Sequence, residues 1–477
     1  MRRGIEPFET LKVFGEKEIS EVHRNTLRIM EQVGLRVRSK DILEFLGDNG
    51  CEVDFDEQMV YVPSYLVEEC IDSDPSSFRL GARDSENDVM FQQGRSYFCS
   101  CSGPINVLDQ EEGINESTKK DLDDSVRLSD ALKNIDIVWP QFSLPNDPLL
   151  GLHEMDSALS NSTKHIGLLN WYGRNLVGKQ IDILREVAGG EQELRERPLA
   201  TLYVEPTSPL SMAEEHAEAI LEWTDHDLPY INFPIQFTGS TSPVTLAGSV
   251  SQALAESFLG LVIGQLNNPG NPFIGGVWPF PMDLKEGKSP YFAAEALLIQ
   301  SISGQMADFY GIPVFGTGGC TNSYFPDAQM GTEMAMTLMG AFYGGETLIH
   351  DIGYTGAGDA SSMENMVFAN EIIEIFKKQS KGVDVNEDTL AFDLVKKIGP
   401  GGDFVSTEHT QNNLDKIFSP EFLKREKMDF LRDKSKKAMK KVRKKMKSIL
   451  EEHEPKPLSS STQEKIDQVI KESSEFL

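Results

Sequence analysis

Three of the four tryptophans in this 477-residue chain stand at the downstream ends of short β-prone runs. Trp139 closes "IDIVW", Trp171 and Tyr172 close "HIGLLNWY", and Trp278 and Phe280 close "GVWPF". Phe237 ends "YINFPIQF", Tyr324 and Phe325 stand in "FGTGGCTNSYFPDAQ", and Tyr354 follows "TLIHDIG". Gathered on one rim, these rings would wall a depression able to hold a quaternary ammonium, at about 0.5–2 kcal/mol per well-placed ring. Charged groups fall at the same places: Glu205 in "EPTSPL", His350 and Asp351 in "LIHDIG", and Arg174 just past Tyr172. Glu205 or Asp351 can face the cation, and Arg174, His350 or backbone amides can take a carboxylate at the ligand's other end. The candidate catalytic residues are therefore Tyr324, Phe325, His350 and Glu205. The candidates for holding substrate are Trp139, Trp171, Tyr172, Arg174, Phe237, Trp278, Phe280, Asp351 and Tyr354.

Blander readings compete. Each tryptophan taken singly is more often core packing than a functional residue. His350 and Asp351 are consecutive on a predicted strand, so alternation sends one inward and the other outward. Cys99 and Cys101 share one face of the first predicted strand. In a closed barrel the seventh, eighth and first strands are neighbours, so Cys101, Cys320 and His350 offer a three-ligand zinc site with an open fourth position. No adjacent Cys pair or His-x-x-Glu spacing supports that alternative. The glycines of "FGTGG" lack the Lys-Ser/Thr of a phosphate loop.

The elements that must position these residues are legible in the order of patterns. Predicted strands cover 96–101, 135–139, 165–171, 199–205, 230–237, 272–278, 312–316 and 347–353, each followed by a helical run. Eight β-then-α units predict parallel strands joined by crossover helices, and they fit a closed (β/α)8 barrel, typically about 250 residues long. In such barrels chemistry sits at the C-terminal ends of the strands, where the aromatic and charged residues above fall. Residues 1–95 are read as a mostly helical N-terminal appendage, 96–384 as the catalytic barrel and 385–477 as a helical C-terminal appendage. Residues 424–447 hold thirteen Lys or Arg against three acids. Met428, Leu431, Ala438, Val442, Met446 and Leu450 fall roughly on one stripe of that segment. It is read as a packed helix with a solvated basic face, or, more sharply, as a docking face for an acidic partner.

The net charge of −29 argues against nucleic acid as a partner. Five cysteines in a long chain without CxxC point to reduced thiols and a cytoplasmic setting. The N-terminus shows no signal-peptide pattern, and no apolar run approaches the roughly 20 residues of a membrane span. A homo-oligomer is compatible with the sequence.

Several stretches, in this order, resemble the trimethylamine methyltransferase family: "RVRSKDILEFLGDNGCEVD", "GPINVLDQEEGINESTKKDLDDSVRLSDALKNIDIV", "EPTSPL", "PMDLKEG", "GTGGCTNSYFPDAQMGTEMAM", "LIHDIGYTGAG" and "IGPGGDFVSTEHT". The resemblance runs from about 15 to 460. It implies a (β/α)8 barrel that passes a methyl group to the cobalt of a corrinoid carried by a separate protein. Founding members carry pyrrolysine on the loop after the seventh strand, which by register falls at about Tyr324 or Phe325. An ordinary residue there puts trimethylamine in doubt. It implies the branch lacking pyrrolysine, which acts on quaternary amines, with glycine betaine the leading candidate and proline betaine, carnitine and butyrobetaine the alternatives. No tightly bound cofactor and no zinc are expected. A zinc-dependent methyltransferase or a betaine-binding protein without catalysis would be the other readings.

Overall fold

The structure, a computed structural model, describes residues 1–170, 173–423 and 437–474. Eight strands close into a parallel barrel: β1 (Tyr97–Ser100), β2 (Ile137–Val138), β3 (His165–Leu169), β4 (Ala200–Val204), β5 (Tyr230–Asn232), β6 (Phe273–Gly276), β7 (Val314–Thr317) and β8 (Leu348–Ile352). β8 pairs with β1 and completes the circle. The helices that follow these strands are α1 (Lys119–Ala131), α2 (Leu150–Asn161), α3 (Gly173–Ala188), α4 (Glu214–Thr224), α5 (Leu246–Asn267), α6 (Ala294–Tyr310), α7 (Ala328–Gly344) and α8 (Met363–Gln379). α1 begins at a capping box: the Thr118 and Asp121 side chains meet each other's backbone N–H. Both the strand order and the unit count are those of the (β/α)8 barrel that the sequence predicts.

Two predicted strands are interrupted. The run 230–237 breaks at Pro234, and its second half, Ile235–Phe237, pairs in parallel with Trp278–Phe280. Proline has no N–H to give to a ladder, so the chain leaves the barrel there and forms a two-stranded collar above β5 and β6.

α5 is apolar on nearly all sides and 22 residues long. By length and composition it is able to cross a membrane, but 83% of its most apolar window is buried in the fold. Helices Glu16–Arg28 and Ser64–Ser73 of the N-terminal segment cover the face that the barrel leaves, with Val22, Leu27 and Val67 joining Val250, Leu254 and Phe258 in one cluster. A helix hydrophobic all round is a buried helix.

The N-terminal segment is less helical than the pattern suggests. Strands Arg2–Arg3, Val89–Gln92 and Ser77–Leu80 form a small sheet whose Leu80, Val89 and Phe91 join the barrel's interior cluster. Another sheet combines Leu35–Val37, Met59–Tyr61 and Glu52–Asp54 with Ser211–Met212 from the loop after β4. These strands are three to four residues long or shorter, too short for alternation to register in the sequence.

At the other end, α9 (Lys437–Glu452) and α10 (Ser460–Ser474) return to the barrel. Val442 and Met446 of α9 are buried against α1 and α8, and Arg443 reaches Asp109, Glu111 and Glu364. The apolar stripe therefore packs, while Lys440 and Lys444 on the other side are exposed. Met428 and Leu431, assigned to the same stripe, lie outside the described residues.

Candidate active site

A cavity of about 200 Å³ opens at the C-terminal ends of the strands. That is below the roughly 300–1,000 Å³ of sites for drug-sized ligands, and it suits a small molecule. Its walls are built strand by strand. β1 leads into Ser102 and Gly103, β2 into Trp139, and β3 contributes Leu169. β4 contributes Tyr203 and, two residues on and so on the same face, Glu205. Phe233, Ile235 and Phe280 come from the ends of β5 and β6 and their collar, and Tyr291 from the loop beyond. Phe315 and Thr317 come from β7, and His350, Asp351 and Tyr354 from β8 and its loop.

The rings pack mostly edge to face. Trp139 meets His350 at 4.9 Å and Phe315 at 5.6 Å between centroids, both T-shaped. Phe280 meets Tyr291 in the same manner at 5.4 Å. Trp139 lies so close over β3 that a Cβ at Gly167 would fall 2.0 Å from its ring. Only glycine admits the indole there. The indole Nε1 is buried and has no hydrogen-bond partner among the described residues.

Both His350 and Asp351 face the cavity, against the alternation expected of a strand. Asp351 has a φ of +73°, and the register between β8 and β1 shifts between Ile349 and Ile352. This left-handed residue turns a carboxylate inward that an extended strand would send outward. His350 Nδ1 then lies 2.5 Å from Asp351 Oδ1, and its Nε2 lies 3.2 Å from Ser102 Oγ. Tyr354 donates its hydroxyl to the Ser102 carbonyl.

Burial pushes the Glu205 carboxyl up to about 7, with the Tyr203 hydroxyl, 3.3 Å away, opposing. Burial also raises Asp351, against the pull of His350. The hydroxyls of Tyr203, Tyr291 and Tyr354 are raised well above their usual range and stay neutral. Among the described lining residues there is no Lys or Arg. The site combines aromatic faces with two carboxyl groups, an environment that favours a cation.

The cavity gathers Trp139, Glu205, Phe280, His350, Asp351 and Tyr354 from the residues singled out in the sequence. Others stand elsewhere. Tyr324 is pinned to the loop after β8, donating to Asp359 Oδ2 at 2.7 Å, and Phe325 is 72% exposed on the outer rim. The loop after β7 carries them past the mouth, and the wall at this point comes from Phe315 and Thr317, earlier on the strand. Trp278 is buried behind Phe280, 5.8 Å away, and Phe237 lies tilted against the same ring at 6.0 Å. Both belong to the collar and brace the wall from outside. Arg174 is half-exposed on α3 and bonded to Glu222 at 2.8 Å, away from the cavity. Trp171 and Tyr172 lie outside the described residues.

Cys101 and Cys320, named in the zinc alternative, are both buried. Cys101 Sγ lies 3.0 Å from Ser361 Oγ, and burial raises the thiols of Cys101 and Cys320. Among the described residues no three His, Cys, Asp or Glu side chains are grouped to hold a metal ion.

The sequence reading missed Tyr203, Phe233, Tyr291, Phe315, Thr317 and Ser102. Tyr203 was within reach, because it stands two residues before Glu205 on one strand. Tyr291 had no local signal: it sits deep in a loop and is brought in by the fold.

Fold and site together define a (β/α)8 barrel enzyme-type scaffold with a small aromatic, acidic pocket at its strand ends. The sequence matches the model of the trimethylamine methyltransferase (MTTB) family over residues 1–476, and the chain belongs to that family. It is 31% identical over 402 residues to the trimethylamine methyltransferase MttB of Desulfitobacterium hafniense, covering 83% of this chain and 80% of the relative. It is 29% identical over 405 residues to a glycine betaine methyltransferase of Desulfitobacterium hafniense, covering 84% of each. The crystal structure of the Methanosarcina barkeri monomethylamine methyltransferase superposes with a TM-score of 0.49 and 11% identity, over 91% of this chain and 92% of that one.

Proposed function

We propose that this methyltransferase moves a methyl group from a quaternary amine to the cobalt of a corrinoid carried by a separate protein, and releases a tertiary amine. Glycine betaine, which would yield dimethylglycine, is the first substrate to consider. The observation that carries the reading is the pocket itself: Trp139, Tyr203, Phe280, Phe315 and Tyr354 around Glu205 and Asp351. Support comes also from the glycine betaine methyltransferase among the relatives.

A quaternary nitrogen brings its own leaving group. When the N–CH3 bond breaks, its electron pair stays on nitrogen and a neutral tertiary amine departs. The corrinoid is a co-substrate here, and its nucleophilic cobalt supplies the electron pair of the new bond to carbon. The protein need only hold the nitrogen and aim one methyl outward, which is catalysis by orientation. The positive charge leaves nitrogen as the methyl does, so a cage of moderate strength avoids over-stabilising the ground state. A carboxylate on the substrate would be met by Ser102 Oγ, His350 Nε2 and Trp139 Nε1, which has no partner among the described residues.

The two carboxyl groups and the lack of Lys or Arg among the described lining residues favour a second reading, a quaternary amine without a carboxylate. A donor panel with free cob(I)alamin as acceptor decides between them. Glycine betaine, proline betaine, carnitine, butyrobetaine, choline and tetramethylammonium are compared with dimethylglycine and trimethylamine. We expect transfer from at least one quaternary amine and poor transfer from both tertiary amines. Brisk turnover of a tertiary amine alone would overturn the proposal.

A further inference from the structure

β1 ends at Ser100, and two residues on Ser102 enters the cavity wall. Gly103 then turns the chain with a φ of +99°, a left-handed conformation open to glycine. From the loop after β8 the Tyr354 hydroxyl holds the Ser102 carbonyl. A serine fixed at a sharp turn past a strand end presents its hydroxyl to the open side of the strands.

Two further groups stand in line behind that hydroxyl. His350 Nε2 lies 3.2 Å from Ser102 Oγ, and His350 Nδ1 lies 2.5 Å from Asp351 Oδ1. All three residues are buried in the wall. The ionised Asp351 carboxyl only accepts, so a neutral ring keeps its proton at Nδ1 and turns the Nε2 lone pair toward Ser102. Hydroxyl, imidazole and carboxylate in that order make a serine oxygen nucleophilic. The ring thus has two states of use: protonated, it meets a carboxylate; neutral, it takes a proton from Ser102.

The ammonium side of the cavity lies across from this chain of groups. Glu205 stands just past the end of β4, four strands from β8 in either direction around the barrel. A cation held against Glu205 and the Tyr203 ring leaves the rest of a small molecule pointing at Ser102. The cavity, about 200 Å³, limits that remainder to a short acyl group.

We infer that the site also hydrolyses small esters of quaternary ammonium alcohols, with Ser102 as nucleophile, His350 as general base and Asp351 as the group that orients it. Ser102 Oγ bonds to the ester carbonyl carbon while its proton passes to His350 Nε2. Gly103, one residue on and in the same wall, brings a main-chain N–H for the oxyanion that forms. The C–O bond to the alcohol breaks, its electron pair stays on the alcohol oxygen, and His350 returns the proton there. Water, giving its proton to the same Nε2, then cleaves the acyl-serine, releases the acid and restores the hydroxyl. No corrinoid enters this reaction. The substrate class rests on the proposed ammonium site; the Ser102–His350–Asp351 chain does not.

The purified full chain, without corrinoid, is treated with a fluorophosphonate, and the adduct is located by peptide mass spectrometry. Stoichiometric labelling of Ser102 is expected, absent after heat unfolding and at least ~10²-fold slower in His350→Gln. Because the label is read on the wild-type chain, it stands even where a variant folds poorly. Acetylcholine hydrolysis is followed in parallel. Ser102→Ala should slow it by at least ~10²-fold with the melting temperature retained. The neutral carbon isostere of acetylcholine should turn over ~5-fold more slowly, as the loss of one cation–ring contact predicts. No adduct, an adduct only at other residues, labelling indifferent to His350, or hydrolysis unchanged in Ser102→Ala would overturn the inference. Equal turnover of the isostere would overturn its substrate class. Ester hydrolysis without methyl transfer to cob(I)alamin would sink the corrinoid reading and leave this one standing.

Discussion

His350 and Asp351 are neighbours in sequence, yet both side chains enter one cavity, with His350 Nδ1 2.5 Å from Asp351 Oδ1. The left-handed backbone at Asp351 makes this possible. The pair fixes the imidazole so that Nε2 faces Ser102. Asp351→Asn keeps shape but weakens the grip on the ring. We expect about ten-fold weaker binding of a carboxylate-bearing quaternary amine, a loss of the order of one charge-assisted hydrogen bond. Isothermal titration calorimetry with glycine betaine checks it. Equal affinity in the variant would remove the pair from the binding machinery.

Glu205 predicts a pH dependence with a definite sign. Its carboxyl titrates at about 7, and a cationic ligand favours the ionised form. Affinity should therefore rise as pH increases through about 7, by about ten-fold if the coupling is worth one pKa unit. Glu205→Gln should flatten that rise. Stability moves oppositely. A carboxyl whose folded value is raised above the unfolded value of 4.5 loses stability as pH climbs from there to about 7. A binding profile that falls through the same range would contradict the assignment.

The cage and its brace are separable. Tyr203→Leu or Phe315→Leu removes a ring from the wall, and we expect binding to weaken by roughly 1 kcal/mol or more. Trp278→Ala instead empties a buried site in the collar and should cost stability, about 3–5 kcal/mol. Melting temperature and ligand affinity measured side by side distinguish the two. If Trp278→Ala loses affinity with its melting unchanged, the indole touches ligand after all.

Gly167→Ala adds one methyl beneath Trp139, 2.0 Å from its ring. The indole must shift into the cavity. We expect about 1–3 kcal/mol of destabilisation together with impaired ligand binding. An unchanged tryptophan fluorescence and normal affinity would show that the indole has room to spare.

Phe325, 72% exposed on the strand-end rim, stands where the proposed corrinoid protein would approach the cavity. Phe325→Ala should slow transfer to a protein-borne corrinoid several-fold, as the loss of an aromatic contact at an interface does. Transfer to free cob(I)alamin should be unaffected. Equal slowing of both reactions would assign Phe325 to the chemistry or to the fold.

The eight-fold alternation of strand and helix was legible because each β-prone run is bounded by a helical one, and parallel strands then follow from the crossover connections. The gathering of these side chains at the strand ends was legible for the same reason. Trp139, Glu205, Phe280, His350, Asp351 and Tyr354 stand at positions that a barrel must bring to one rim. What pattern could not supply is direction. Asp351 turns inward through one left-handed residue, and Trp139 folds across β3 because Gly167 leaves space. Tyr324 and Phe325, at the most suggestive loop in the sequence, are held outside by Asp359 and by the length of that loop. Tyr291 arrives from a stretch with no periodicity. Alternation decides which side of a strand a residue takes only while the backbone stays extended. At the ends of these strands it does not, and there the packing of rings against one another decides which side chains meet.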